Sequence, residues 1–307
     1  MSLKIIFMGT PDFAVQILET IFKSNHEILE VYTQPPKKKN RGQKILMSAV
    51  HKFSNQNNLK VRCPEILDTD EEIRNFIKLK PDIVVVVAYG KILPSRFLDL
   101  KNILFLNVHA SLLPKLRGAA PIHRAIMNLE KETGVSIMKI VTKLDAGPVM
   151  MKKKINIYKD TNYISLSNQM AKIGSKMILE SFALLENKKE KFIAQNEKEA
   201  TYANKISKLE SKIDWNEKAE KIVAKINALH PNPGSWFELN GMRIKPTKAV
   251  EVNLKGIPGE ILNQNFTVAC KVNSIQILEL QKEGKQKMTT EEFIKGNKLQ
   301  VGININV

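Results

Sequence analysis

The 307-residue chain has little cysteine: its two thiols, Cys63 and Cys270, lie far apart in the sequence. Neither has a neighbouring Cys or His at the spacing of metal ligands, so the sequence predicts no metal site and a reducing compartment. No hydrophobic run is long enough to cross a bilayer, and the apolar stretch after Met1 is too short for a signal peptide. We therefore expect a cytoplasmic protein without membrane contact.

A dinucleotide-binding fingerprint is also missing. The turn after the first predicted strand reads Gly9-Thr10-Pro11-Asp12-Phe13 and lacks the spacing Gly-x-Gly-x-x-Gly. The same residues predict the start of a helix, with Thr10 as N-cap and Pro11 in the first helical position, continuing to Phe22. A nicotinamide or flavin cofactor is therefore not expected.

Acidic residues are outnumbered, which leaves a formal net charge of +17. Such an excess suggests a polyanionic partner, because Lys and Arg gain affinity for phosphates by releasing counterions. Most of the excess falls in residues 1–189, although the chain is rich in Lys throughout and part of the charge reflects that composition. At 43% hydrophobic residues, a chain of this length predicts two folded domains.

Short apolar runs rich in β-branched residues alternate with helical patterns in the first half of the chain. This alternation predicts an α/β fold, a Rossmann-like doubly wound parallel sheet. The expected strands are residues 3–7, 28–33, 83–87 and 103–108.

A long helix over 162–185, capped by Thr161, is predicted to close the first domain. We expect a catalytic domain at 1–189, a polar linker at 190–206 and a second domain at 207–307.

In the second domain, Asn216 is predicted to cap a helix with Lys218, Lys221 and Lys225 on one face. Its apolar stripe contains Ala219, Ile222, Val223, Ile226 and Leu229. Residues 236–307 are predicted to form short strands.

Two polar side chains follow each other on one side of the strand that ends near residue 108. Alternation along a strand sends Asn107 and His109 to the same face, at the sheet edge where open α/β folds place their sites. Asp145 follows a second strand-like stretch, 135–141, and a carboxylate beside a histidine fixes its tautomer and favours its protonated form. Taken singly, each of these residues also has an ordinary interpretation: Asn107 as a cap of the local backbone, His109 as a satisfied polar residue and Asp145 as part of a turn.

Considered together with several further motifs, the chain closely resembles the methionyl-tRNA formyltransferase family. The motifs are Gly9-Thr10-Pro11-Asp12-Phe13, Ala88-Tyr89-Gly90-Lys91-Ile92-Leu93-Pro94, Asn107-Val108-His109-Ala110-Ser111-Leu112-Leu113-Pro114, Arg117-Gly118-Ala119-Ala120-Pro121-Ile122, Glu132-Thr133-Gly134-Val135, Leu144-Asp145-Ala146-Gly147-Pro148, Thr201-Tyr202-Ala203 and Ile213-Asp214-Trp215. The resemblance implies transfer of the formyl group of 10-formyltetrahydrofolate to the α-amine of initiator methionyl-tRNA. It also implies a small OB-like β-barrel as the second domain.

The resemblance assigns roles to the polar residues. Asn107 and a protonated His109 would donate N–H groups to the oxyanion, and Asp145 would keep His109 charged and help to relay a proton. The loop Ser111-Leu112-Leu113-Pro114 would bind the folate. Arg117 is expected either to order this loop or to meet an anionic group.

Residues 34–44 form a basic segment with five positive charges: Lys37, Lys38, Lys39, Arg41 and Lys44. By resemblance this segment meets the acceptor stem of the tRNA, and Arg41 matches the key arginine. The alternative is a solvated charged loop without a partner. Further basic residues of the second domain are candidates for tRNA phosphate contacts: Lys205, Lys208, Lys212, Lys218, Lys221, Lys225, Arg243, Lys245 and Lys248.

Other functions remain open at this stage. A formyltransferase acting on a sugar-nucleotide amine shares both domains but does not need the basic segment. Glycinamide ribonucleotide formyltransferase and formyltetrahydrofolate hydrolase share the three polar residues, but residues 201–307 count against both. A noncatalytic RNA-binding module is disfavoured because Asn107, His109 and Asp145 are all present. A monomer is expected.

Overall fold

The structure is a computed structural model that describes residues 2–39 and 44–305. The chain divides into two compact units, one of residues up to 121, 133–155 and 167–203, the other of residues 122–132, 156–166 and 204–307. The expected domain boundaries stay a prediction. Residues 190–203 nevertheless belong to the first unit, where the backbones of Val149 and Ile193 exchange hydrogen bonds of 2.8 and 2.9 Å.

A seven-stranded sheet forms the core of the first unit. The strands of this half of the chain are β1 (Lys4–Gly9), β2 (Glu27–Tyr32), β3 (Lys37–Lys39), β4 (Lys44–Leu46), β5 (Val61–Arg62), β6 (Ile83–Val87), β7 (Leu104–His109), β8 (Glu132–Lys139) and β9 (Val149–Asn156). The sheet order is β5-β2-β1-β6-β7-β8-β9. Pairing is parallel from β5 to β7, and β8 runs antiparallel to β7. The predicted doubly wound, mainly parallel sheet is confirmed.

The apolar runs explain the central strands. Every residue of β6 is buried, as are the last five residues of β1, because helices cover both faces of a parallel sheet. The helices of the chain are α1 (Asp12–Phe22), α2 (Ala49–Gln56), α3 (Asp70–Leu79), α4 (Ser95–Leu98), α5 (Pro121–Met127), α6 (Tyr163–Glu186), α7 (Ala219–Leu229) and α8 (Thr290–Gly296). Among the described residues, no helix is both long and apolar enough to cross a membrane.

The three predicted helix caps were wrong in detail. Pro11, not Thr10, is the N-cap of α1, and the Thr10 hydroxyl donates to the Tyr89 carbonyl at 2.8 Å. At the start of α6, the Asn162 side chain accepts from Ser165 N at 3.0 Å, so Asn162 rather than Thr161 caps the helix. Lys218, not Asn216, is the N-cap of α7. Tertiary contacts and neighbouring residues therefore override the local capping preference at these positions.

The second unit contains an antiparallel sheet. Its strands are β10 (Phe237–Leu239), β11 (Met242–Val252), β12 (Ile261–Asn263), β13 (Thr267–Ala269), β14 (Ser274–Lys282) and β15 (Lys287–Thr289). The order is β10-β11-β14-β13-β12, and β15 also pairs with β14. The antiparallel sheet confirms the OB-like class expected for this domain. The expectation of short strands holds for four of the six, whereas β11 has 11 residues and β14 has 9.

Aromatic side chains fill the core of the second unit. The rings of Trp215 and Phe237 lie 5.3 Å apart, and those of Phe266 and Phe293 lie 5.7 Å apart. The apolar stripe of α7 packs into this core as predicted. Lys225, a candidate for a tRNA phosphate contact, is buried instead, with its Nζ 3.3 Å from Glu217 Oε2. A charge removed from water in this way needs a partner, and Glu217 supplies it.

Candidate active site

The carboxyl end of β7 carries the first two candidate residues. Asn107 is partly exposed, whereas His109 is only 6% exposed. His109 Nε2 lies 3.0 Å from the backbone oxygen of Leu116. Because a carbonyl oxygen only accepts, this contact requires the hydrogen to sit on Nε2. The other ring nitrogen, Nδ1, therefore faces the remaining polar groups of the site.

The segment between β8 and β9 brings Asp145 to these two residues. Asp145 Oδ2 lies 3.7 Å from His109 Nδ1 and accepts a 2.7 Å hydrogen bond from Gly118 N. Asp145 Oδ1 accepts from Asn107 Nδ2 at 3.4 Å. The structure thus brings Asn107 and His109 to the carboxylate of Asp145, which lies 38 positions after Asn107 in the sequence.

The turn at Asp145 has a demanding backbone. Asp145 has φ +47°, in the left-handed region that L residues seldom adopt. Two residues later, a Cβ added to Gly147 would lie 1.8 Å from the Lys139 carbonyl, so only glycine fits. The motif Asp-Ala-Gly therefore reflects a close backbone approach that aims the carboxylate at β7.

The predicted folate loop is closely tied to the protein interior. Ser111 and Leu113 are buried, Leu112 is partly exposed, and the Leu113–Pro114 peptide bond is cis. The Ser111 hydroxyl donates to the Lys115 carbonyl at 2.6 Å. The loop carbonyls are used within the protein, since Ser111 O accepts from Ser136 Oγ and Pro114 O accepts from Thr201 N. The loop therefore presents mainly the partly exposed Leu112 to its surroundings.

The Arg117 guanidinium pairs with an anionic side chain of the same unit, Glu197. Its side chain is fully buried, and its Nη2 donates to Glu197 Oε1 at 2.8 Å and to Gln195 Oε1 at 2.9 Å. Hydrogen bonds from Arg117 and Lys143 lower the pKa of Glu197 to about 2. Of the two roles expected for Arg117, this contact is of the second kind, a meeting with an anionic group, and the ordering of loop 111–114 stays a prediction.

Sequence reasoning missed Gln195, Glu197 and Thr201 as parts of this site. They fall within the stretch predicted to be a linker, and only Thr201 lies in a motif of the resembled family. The periodicity of this stretch is not that of a helix or strand, so no signal in the single sequence marks Gln195.

The basic segment is only partly within the described residues. Lys37 is exposed, and β3 pairs antiparallel with β4, a feature that the sequence did not predict. Arg41 lies outside the described residues, and the backbone alone is described for Lys38, Lys39 and Lys44. In the described ranges, no group of three His, Cys, Asp or Glu side chains could hold a metal ion.

Two family models match the chain. One, described as formyl transferase, matches residues 3–182, and the other, described as formyl transferase, C-terminal domain, matches residues 205–298. Fold and site therefore define a two-domain enzyme of the formyl transferase class. A methionyl-tRNA formyltransferase from Pelagibacter ubique (strain HTCC1062) is 45% identical, covering 99% of both chains. Another from Paramagnetospirillum magneticum (strain ATCC 700264 / AMB-1) is 40% identical, covering 98% of this chain and 99% of that protein. The chain belongs to the methionyl-tRNA formyltransferase family.

Solved structures share this fold at low sequence identity. An N-formyltransferase from Helicobacter canadensis, in complex with folinic acid and dTDP-3-aminofucose, aligns with a TM-score of 0.64 at 19% identity. The alignment covers 94% of this chain and 100% of that one. At this identity the likeness shows the fold alone, so the substrate must be argued from the sequence relatives and the site.

Proposed function

We propose that this chain transfers the formyl group of 10-formyltetrahydrofolate to the α-amine of initiator methionyl-tRNA, giving N-formylmethionyl-tRNA. The observation that carries the proposal is the convergence of Asn107, His109 and Asp145. This geometry occurs in a chain that is 45% identical over its whole length to a protein named methionyl-tRNA formyltransferase. The sugar-nucleotide alternative is supported only by distant fold neighbours, each at 20% sequence identity or less.

The site contains the groups that acyl transfer to an amine requires. A formyl carbon attacked by an amine develops negative charge on its oxygen, and fixed N–H donors aimed at that charge each contribute roughly 10²- to 10³-fold in rate. Asn107 Nδ2 is one such donor. Because Leu116 O occupies Nε2, the Nδ1–H of a protonated His109 is the second donor.

Asp145 orients both donors. Its carboxylate lies beside His109 Nδ1 and accepts from Asn107, and the bond from Gly118 N holds it in place. A carboxylate in this position can receive a proton from the attacking amine through water. The proton would pass to the leaving folate nitrogen as its bond to the formyl carbon breaks, so that the new C–N bond replaces the old one. The α-amine itself has a pKa of roughly 8, so a useful fraction is neutral near pH 7 without a strong base.

The folate co-substrate fits the residues next to these donors. When bound, it supplies the formyl carbon. The partly exposed Leu112 gives an apolar surface for a flat ring, while the buried Ser111 and Leu113 and the internally bonded carbonyls stiffen the loop. The proposed chemistry places no demand on a metal ion.

The acceptor is assigned from charge. The net charge of +17 suits tRNA phosphates, and Lys37, Lys38, Lys39, Arg41 and Lys44 place five cations in one short segment. A formyltransferase acting on a small nucleotide sugar has no use for this segment.

We further propose a monomer that works in the cytoplasm.

The proposal is tested by offering formyl-folate with either charged initiator tRNA or an amino-sugar nucleotide. We expect the formyl group on the methionyl-tRNA, and formylation of the sugar amine alone would overturn the proposal. A Lys38→Ala/Arg41→Ala variant should lose preference for initiator over elongator methionyl-tRNA. The control Lys172→Ala/Lys176→Ala removes the same amount of charge from exposed positions of α6. This variant should keep the preference for initiator methionyl-tRNA. Equal preference in both variants would reject the role of the basic segment.

A further inference from the structure

Residues 195–201 contact both backbone segments that orient the proposed reacting groups. On one side, Thr201 Oγ1 accepts from Leu116 N at 2.9 Å, and the Thr201 carbonyl accepts from Arg117 N at 2.9 Å. Leu116 has φ +58°, and its carbonyl is the group that receives His109 Nε2. Thr201 therefore holds the backbone partner of the His109 ring.

On the other side, Gln195 holds the turn that carries Asp145. Its Nε2 donates to the Asp145 carbonyl at 2.9 Å and to the Gly147 carbonyl at 2.7 Å. Asp145 lies in the left-handed region, where a non-glycine residue stays only if surrounding contacts determine its conformation. Two hydrogen bonds from one amide across this turn are such contacts.

Arg117 sets the orientation of the Gln195 amide. Its Nε and Nη2 donate to Gln195 Oε1 at 3.1 and 2.9 Å. A guanidinium has no acceptor, so the amide oxygen must face Arg117 and the amide nitrogen must face the turn. The buried guanidinium also pairs with Glu197, which keeps its charge compensated. Gln195 thus links a fixed charge to the backbone at Asp145.

We propose that Gln195 and Thr201 are positioning residues for formyl transfer, because they fix the turn of Asp145 and the carbonyl partner of His109 from one continuous segment. This inference rests on the proposed function. Neither side chain contacts the three polar groups that would meet the substrates. Their effect passes through backbone geometry, and a misplacement of about 1 Å at reacting groups can cost about 100-fold in rate.

The test compares Gln195→Ala with Gln195→Glu in steady-state formylation of methionyl-tRNA. Glutamate keeps an oxygen for Arg117 but has no N–H for the Asp145 and Gly147 carbonyls. We expect both variants to lose roughly 10- to 100-fold in kcat. The KM values for formyl-folate and for methionyl-tRNA should change little, and the melting temperatures should stay near that of the wild type. If pairing with Arg117 were the only role, Gln195→Glu would keep wild-type kcat, and that result would overturn the proposal.

Thr201 provides an independent pair of variants. Thr201→Val removes the acceptor for Leu116 N and should lower kcat, whereas Thr201→Ser keeps the hydroxyl and should stay close to the wild type. Lys198→Ala, at an exposed position of the same segment, is the matched control. Inactive wild-type protein in this assay would reject the proposed function, while wild-type kcat in Gln195→Glu and Thr201→Val rejects only the positioning role.

Discussion

Two regions of the molecule, the polar cluster around Asp145 in the first unit and the aromatic core of the second unit, are stabilised by different kinds of contact. Around Asp145 in the first unit, polar groups from β7, the β8–β9 segment and residues 195–201 are paired with one another. The core of the second unit consists of apolar and aromatic side chains, with Trp215, Phe237, Phe266 and Phe293 in ring contact. Directional contacts place atoms precisely, whereas apolar packing supplies stability. Substitutions in the two regions should therefore separate turnover from stability.

The largest effect is expected at the polar cluster. His109→Ala and Asp145→Ala should each lower turnover by at least about 100-fold, because a fixed donor or its orienting carboxylate is lost. Methionyl-tRNA binding, measured by titration, should survive in both variants. Full activity in either variant would contradict the assigned roles. It would also contradict the expectation that the polar cluster governs turnover and the aromatic core governs stability.

The complementary substitution is Phe237→Ala in the aromatic core. Removing a fully buried ring should cost about 3–5 kcal/mol in free energy of unfolding. Both tryptophans, Trp215 and Trp236, lie in the second unit, so their fluorescence during urea unfolding follows this unit directly. Val250→Ala, at a position 39% exposed in the same sheet, should change stability by less than about 1 kcal/mol. Equal losses in both variants would contradict the core assignment.

A titratable group in the second unit sharpens the comparison. Burial, followed by the charge of Arg124, lowers the pKa of His123 to about 4 from 6.5, and its ring stacks on Tyr163 with centroids 4.3 Å apart. Between these two pKa values the unfolded chain binds more protons than the folded one, so stability falls as the pH is lowered. The loss from pH 6.5 to 4 should reach roughly 3 kcal/mol at most.

His123→Phe keeps an aromatic ring beside Tyr163 but cannot titrate. We expect the unfolding free energy of this variant to depend less on pH over that interval than the wild type's. His26→Phe serves as the control, since His26 also lies against an aromatic ring, that of Phe182. An unchanged pH slope in His123→Phe would show that other groups cause the acid sensitivity.

Regular features were well predicted from the sequence. The strand at 103–108 is β7 at Leu104–His109, and the side alternation of Asn107 and His109 follows from strand geometry. The apolar stripe of α7 also packs as expected. By contrast, α8 was overlooked among predicted strands, although Thr289 and Glu292 form a capping box that signals a helix start.

Contacts between distant residues were not predictable in this way. Thr10 has the chemistry of an N-cap, yet its hydroxyl bonds to Tyr89, 79 positions away. Lys225 has the spacing of a solvated face, yet Glu217 draws it into a buried pair. In both cases a tertiary partner competes with the local preference, and a single sequence does not name that partner.

The amino-acid sequence by itself determined the mainly parallel α/β sheet of the first unit, because apolar periodicity and β-branched runs act over short distances. Its motifs also indicated the family and the three polar residues. The OB-like form of the second domain came from the family resemblance. Only the tertiary structure decided that Arg117 is buried against Gln195 and Glu197, and which ring nitrogen of His109 faces Asp145. The physical reason is that hydrogen bonds need donors and acceptors within about 3 Å. Chain folding alone brings residues 80 positions apart to that distance.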